Sequence, residues 1–292
     1  MRIKEITPWW LKIALKIILT RLPIDYTFWQ KIGIFRHGKM DQSAYIKNNF
    51  DGYCHSAKIG YQNLNGKTIL ELGPGDSIGT ALIASSFGAK TIMIDAGQFA
   101  VDDLSIYCKL ANNLRQKGID VPNIEEAPSF RDILDICNAE YLTRGLKDLS
   151  NLENNSVDMI VSQAVLEHIR LADFSKTIDE CSRVMKEDGF SVHSVDLKDH
   201  LGRALNNLRF SEDFWESDFI AKSGFYTNRI RYSEMLDIFR KSGLNIDVIK
   251  QSKWDVLPTP KGSLSPPFDS LNYDELLISD FTVLLRHAKT PN

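Results

Sequence analysis

From Gly66 to Leu197 the chain alternates short apolar runs with longer segments of helical spacing, and no other feature limits its fold so strongly. Thr68–Leu72, Thr91–Asp95, Ala139–Thr143, Ser156–Ser162 and Phe190–Val195 are too short for helices and mostly apolar, so they read as strands one to five. Ser77–Phe87, Val101–Lys117, Ser129–Cys137 and Phe174–Met185 carry the helical pattern between them, the last stopped by Gly189. Strands joined through helices need crossover connections, and these give a parallel sheet covered on both faces. Further on, Tyr232–Ser242 reads as a helix closed by Gly243, Leu244–Gln251 as strand six, Trp254–Asp269 as a proline-rich loop and Asp280–Arg286 as strand seven. With no helix expected between them, strands six and seven form an antiparallel hairpin closing the sheet edge. The organisation expected is an N-terminal helical extension over residues 1–65 and one α/β domain over 66–292, with a polar, aromatic insertion at 198–231 after strand five.

Composition narrows the partners. With 35 Lys+Arg against 38 Asp+Glu the formal charge is −3, which supplies no global field for nucleic acid. Cys54, Cys108, Cys137 and Cys181 are scattered without a C-x-x-C pair, so zinc-ribbon and redox readings have no support and reduced thiols are expected. The longest apolar candidate, Trp9–Leu22, is interrupted by Lys12, Lys16 and Arg21 and lacks a small-residue cleavage site. A cytoplasmic protein is expected. Trp9, Trp10, Lys4, Lys12 and Lys16 fit a helix lying on the inner face of the membrane, but a helix that caps a pocket or joins two copies is the preferred reading, because amphipathic helices usually pack their apolar face on protein.

The segment Glu71-Leu72-Gly73-Pro74-Gly75-Asp76-Ser77-Ile78-Gly79 leaves a strand and enters a helix. Glycines there allow a sharp turn and close approach of backbone to a ligand, at the strand ends where open α/β sheets bind. A dinucleotide would ask for glycine at position 78, where the chain has Ile78, and the Glu71 carboxylate is a poor neighbour for pyrophosphate. S-adenosylmethionine carries an ammonium and a sulfonium, so an acidic strand end favours it. Asp95, closing strand two, is placed to accept from both ribose hydroxyls.

These residues resemble a known family. Glu71-Leu72-Gly73-Pro74-Gly75 looks like the acidic-x-Gly-x-Gly motif of class I S-adenosylmethionine-dependent methyltransferases. Asn155–His168 resembles the fourth-strand segment of the group called type 11, and Met185–Phe190 resembles its turn before strand five. The three motifs follow in the family's order over residues 66–195. The resemblance implies a Rossmann-like sheet, S-adenosylmethionine as cofactor, and cofactor contacts from Glu71, Gly73, Pro74, Gly75, Ser77, Asp95, Leu146 and Gln163. Ser77 replaces the usual third glycine, Leu146 stands near the place of an adenine-binding acid, and Lys186-Glu187-Asp188-Gly189 lacks the usual proline and first glycine. The flow from strand four into the insertion is similar to methyltransferases of bacterial surface-polysaccharide gene clusters, which implies a glycan acceptor.

Methyl transfer to a hydroxyl needs alignment and a base. Strands four and five end in Gln163, Glu167 and His168 and in His193–His200, so His168 or His200 is the candidate base and Asp196 or Asp199 its orienting partner. No metal is assigned; the competing view groups His193, Asp196, Asp199 and His200 around a divalent ion, at a spacing that matches no known pattern. Aromatics with Asn and Arg in the insertion suit a sugar, or else a lid packing its own rings. The function expected is methylation of a small-molecule or glycan hydroxyl; the alternatives are a nicotinamide-dependent oxidoreductase and a non-catalytic S-adenosylmethionine-binding protein.

Overall fold

The computed structural model describes residues 8–19 and 42–288; Lys4, Ile6, Thr7, Arg21 and Leu22 of the lead-in lie outside the described residues. The sheet has seven strands in the order β3-β2-β1-β4-β5-β7-β6. They are β1 (Thr68–Leu72), β2 (Lys90–Ile94), β3 (Ala139–Leu142), β4 (Val157–Gln163), β5 (Met185–Asp196), β6 (Leu244–Lys253) and β7 (Ile278–His287). The first five strands pair in parallel, while β7 runs antiparallel to both β5 and β6. The chain is thus a Rossmann-like α/β sheet, mostly parallel, as expected. Strand order reverses at β1, between β2 and β4, which opens a crevice at the carboxyl ends of these strands.

Alternation along the strands divides the apolar residues between two cores. Ile69, Met93, Met159, Val161 and Val192 face one side with α2 (Ser43–Ala57), α3 (Gly79–Ser85), α4 (Leu104–Arg115) and α5 (Phe130–Ile136). Leu70, Leu72, Ile160, Val195 and Val283 face the other, under α7 (Leu171–Val184) and α10 (Tyr232–Lys241). A short helix, α6 (Leu146–Leu149), follows β3. From α2, Ile46, Phe50, Tyr53 and Cys54 sit in the same core as the helix after β1. Packing is close there: a Cβ on Gly79 would lie 2.2 Å from Ile46 Cδ1, so a larger residue at this position would have to displace the Ile46 side chain.

Two features differ from the expectation. β5 begins at Met185, because Met185 pairs with Val157 before the register shifts and Phe190 pairs with Met159. The bend between them passes Gly189, where a Cβ would stand 2.9 Å from the Lys186 carbonyl oxygen and 3.1 Å from that of Asp158. The β6–β7 connection is not helix-free: α11 (Tyr273–Leu277) immediately precedes β7, capped by Asn272, whose side chain accepts from Glu275 N at 2.7 Å. As expected, β6 and β7 pair antiparallel and close the sheet edge, with β7 beside β5 and β6 outermost.

The insertion has its own small core of Leu201, Trp215, Ile220, Phe225 and Tyr226, built around α8 (Glu212–Trp215) and α9 (Asp218–Ala221). Trp9, Ile13 and Ile17 of α1 (Trp9–Leu19) pack against it. Among the described residues no helix is long and apolar enough to cross a membrane. All four cysteines are free, and burial raises the thiols of Cys54 and Cys137 to about 11 and that of Cys181 to about 12.

Candidate functional site

The turn after β1 is shaped by two glycines. Gly73 and Gly75 hold φ of 64° and 68°, a left-handed backbone that side-chain-bearing residues rarely adopt. A Cβ on Gly73 would also meet Val165 Cγ2 at 2.5 Å, so the turn lies directly against the segment leaving β4. Pro74, Gly75 and Ser77 are buried, and Ser77 Oγ accepts from Gly79 N at 3.1 Å as α3 begins. Ile78 is fully buried in the core that β1 shares with α2 and α4. It fills the place where a dinucleotide turn needs a bare glycine, so the two helix-packing solutions are physically distinct.

Glu71 lies beneath this turn. Its Oε1 accepts from Thr80 Oγ1 at 2.9 Å, whereas Oε2 is buried without a hydrogen-bond partner. Burial pushes the carboxyl up to about 8, opposed by the Thr80 hydrogen bond and reinforced by the charge of Asp95. A buried carboxylate oxygen lacking a donor fits a cationic ligand and disfavours a phosphate.

Asp95 follows β2 and is buried. Its Oδ2 accepts from Gly75 N at 3.0 Å and from the Tyr141 hydroxyl at 3.4 Å. Both bonds fall on Oδ2, and a carboxylate offers about four acceptor positions, so they leave room for the ribose contact expected of Asp95. Tyr141, which the sequence did not mark, also accepts from the amides of Phe99 and Ala100 at 3.0 and 3.1 Å, tying the loop after β2 to β3. Leu146 opens α6 directly after Gly145, whose φ of 54° and ψ of −129° suit only glycine, and packs against the second core. Gln163 ends β4, half-buried and paired in register with Ser194.

Beyond β4 the chain turns at Ala164, with φ of 54°, into the one-turn helix Leu166–His168. Residues of the insertion hold this turn. Asn228 N donates to the Glu167 carbonyl at 2.7 Å, and Asn228 Nδ2 donates to the carbonyls of Leu166 and Ile169 at 2.8 and 3.0 Å. His168 Nδ1 lies 2.9 Å from the Tyr226 carbonyl oxygen, which makes Nδ1 the protonated nitrogen of the neutral ring. His200 stands across from it, ring centroids 4.7 Å apart at 65°. Both imidazoles are exposed, while Glu167 between β4 and the insertion is buried and its carboxyl is pushed up to about 8, chiefly by that burial.

The expected orienting acids act elsewhere. Asp199 accepts from the amides of Leu201, Gly202 and Asn206 and from Asn206 Nδ2, at 2.6–3.0 Å, so its carboxylate builds the loop after β5. Asp196 pairs with Lys198 at 2.8 Å, and Lys198 also reaches Asp280 at 2.9 Å. The quartet His193, Asp196, Asp199 and His200 is not assembled. His193 is fully buried with Nδ1 2.8 Å from Ser162 Oγ, and burial lowers it to about 4, a neutral ring in the sheet. The structure groups Glu167, His168 and His200 in its place, one ligating atom of each lying within 4.8 Å of the others.

Residues 70–193 match a family model described as a methyltransferase domain. No curated protein matches the sequence. Among solved structures, a S-adenosylmethionine-dependent methyltransferase from Methanosarcina mazei is 16% identical with a TM-score of 0.45, over 76% of this chain and 93% of that one. Phosphoethanolamine N-methyltransferase 2 of Haemonchus contortus, solved with S-adenosylmethionine, is 15% identical with a TM-score of 0.43, over 84% of this chain and 53% of that one. The chain thus spans about half the length of the Haemonchus protein.

Proposed function

We propose that the chain, whose residues 70–193 match a methyltransferase-domain model, uses S-adenosylmethionine to methylate a hydroxyl of a small molecule or glycan at the mouth formed by the ends of β4 and β5. The observation that carries the reading is Glu71: a buried carboxylate oxygen with no donor, at the end of the first strand, beneath a turn of two left-handed glycines. The cofactor supplies an already activated sulfonium methyl, so the chain's task is to bind, align and exclude water. Glu71 would take the cationic end of the cofactor, Gly73 and Gly75 would let it approach, and Asp95 would accept from the ribose hydroxyls.

For the acceptor, the hydroxyl oxygen forms its bond to the methyl carbon as the carbon–sulfur pair returns to sulfur, and its proton must leave. We assign that removal to the His168–His200 pair, where two exposed imidazoles meet beneath the insertion. The aromatic insertion and α1 would close over the acceptor, and a surface-polysaccharide sugar suits that lid. Trp10 and Ile18, 57% and 59% exposed on α1, are the side chains that would enter a membrane surface for a cytoplasmic enzyme meeting lipid-linked acceptors.

The test has two parts. Calorimetry should show S-adenosylmethionine and S-adenosylhomocysteine binding and no binding of NAD or NADP. Incubation with methyl-labelled cofactor and a panel of sugars, nucleotide sugars and lipid-linked glycans should then label an acceptor. His200→Ala should slow that turnover at least tenfold with cofactor affinity within about twofold. Nicotinamide binding would refute the cofactor reading, and undiminished turnover in His200→Ala would remove His200 from the proton path.

A further inference from the structure

We infer that Glu167, His168 and His200 form a binding site for one divalent first-row transition-metal ion at the acceptor mouth. Each residue offers one ligand atom, and these atoms lie within 4.8 Å of one another. Around such an ion ligand atoms stand ~3.4 Å apart, given metal–ligand bonds of about 2.0–2.1 Å in a tetrahedral shell. His168 is held in place by Tyr226, so closing that distance falls to the exposed His200 on the loop after β5.

Two further observations point to a cation. First, Glu167 is 2% exposed, its Oε1 accepts from Asp196 N at a long 3.3 Å, and its Oε2 is buried with no hydrogen-bond partner. A buried carboxyl left in that state asks for a positive charge. Second, the contact between His168 Nδ1 and the Tyr226 carbonyl oxygen leaves the lone pair on Nε2. Metal-bound histidines are commonly oriented by this kind of donation to a backbone carbonyl. Asn228, bonded to the carbonyls on either side of His168, fixes the backbone that carries two of the three ligands.

The donor set selects the ion. Two imidazoles with one carboxylate suit zinc, cobalt, nickel, iron or manganese, and not magnesium or calcium, which take oxygen ligands. Three protein ligands leave a coordination position open, as catalytic sites do. The consequence for chemistry rests on the acceptor site proposed above and changes the role of the histidines there, because an imidazole whose lone pair is on the ion takes no proton: in the metal-loaded chain a hydroxyl oxygen at the open position would lose its proton to water, the ion stabilising the resulting alkoxide, and the histidine base would serve the metal-free chain. Metal binding itself does not depend on that reading.

The experiment uses the full chain stripped with a chelator and titrated with Co2+ and Zn2+, by calorimetry and by the visible absorption of bound Co2+. One ion per chain is expected, with the absorption intensity of a four- or five-coordinate cobalt centre. Glu167→Gln and His200→Ala should each weaken binding at least tenfold, while His55→Ala, an exposed histidine on α2, should leave it unchanged. A parallel titration with S-adenosylmethionine separates the two proposals. Cofactor binding without stoichiometric metal uptake would overturn the metal site alone, and metal uptake without cofactor binding would overturn the methyltransferase reading alone. Uptake that persists unchanged in the double variant Glu167→Gln, His200→Ala would also overturn the site.

Discussion

The buried carboxyl of Glu71 makes a quantitative prediction about pH. Burial holds it at about 8 in the fold, above the ordinary carboxyl range, so the fold prefers the neutral acid. Its stabilising contribution is complete below the unfolded value and is lost as pH rises through about 8. Between about pH 5 and pH 7.5 the free chain should lose about 3 kcal/mol through this one group, at ~1.4 kcal/mol for each pH unit over which the unfolded carboxyl alone is ionised. A cationic ligand reverses the preference. Near pH 7 about 0.9 of the chains carry the proton, so cofactor binding that ionises Glu71 should expel nearly that amount. Urea denaturation across the pH range tests the first quantity; calorimetry in buffers of different ionisation enthalpy tests the second. Glu71→Gln should flatten its share of the pH dependence, abolish the proton release, and weaken the cofactor by about tenfold or more. Because Glu167 also sits at about 8, only the difference between wild type and Glu71→Gln isolates the group. A variant whose stability profile runs parallel to wild type, or binding with no proton expelled, would refute the reasoning.

Further outcomes follow from backbone geometry and burial. Gly73→Ala places a methyl 2.5 Å from Val165 Cγ2 in a left-handed backbone, so it should cost about 2 kcal/mol in a denaturant melt, and adding Val165→Ala should return part of that loss. Arg231 is fully buried with its guanidinium on the carbonyls of Leu197 and Ile278, at 3.1 and 2.8 Å, and burial lowers it to about 10. Arg231→Met strands those acceptors and should destabilise by about 3 kcal/mol, read as a shift of the urea midpoint at constant m.

The strands were legible because each is an apolar run between turn residues, and the cofactor turn because its chemistry is local: an acid, two glycines and a small residue within a few positions of β1. What escaped was mostly long-range or polar. Lys186-Glu187-Asp188-Gly189 is too polar to read as strand, yet Met185 reaches back to Val157 and starts β5 early. The five residues of α11 fall below what helical periodicity can register, although Asn272 carries an ordinary cap signal. At the acceptor mouth the histidines were visible as residue types, but their company was not. Strand alternation alone does not say that His193 points into a sealed sheet, or that Asp199 spends its oxygens on the loop that follows. Asn228 and Tyr226 carry no signal for a turn some sixty residues earlier, because they address its main-chain carbonyls, which any sequence would offer.

That last attachment bears on how the proposed acceptor specificity could be changed. The insertion is stitched by Asn228 to the carbonyls of Leu166 and Ile169, on either side of Glu167 and His168, so the insertion and the side chains proposed to act form one mechanical unit. A foreign insertion grafted between β5 and α10 would leave the residue 166–169 turn without its fastener unless it kept an asparagine at position 228, because the carbonyls on the turn are main-chain and stay whatever its sequence.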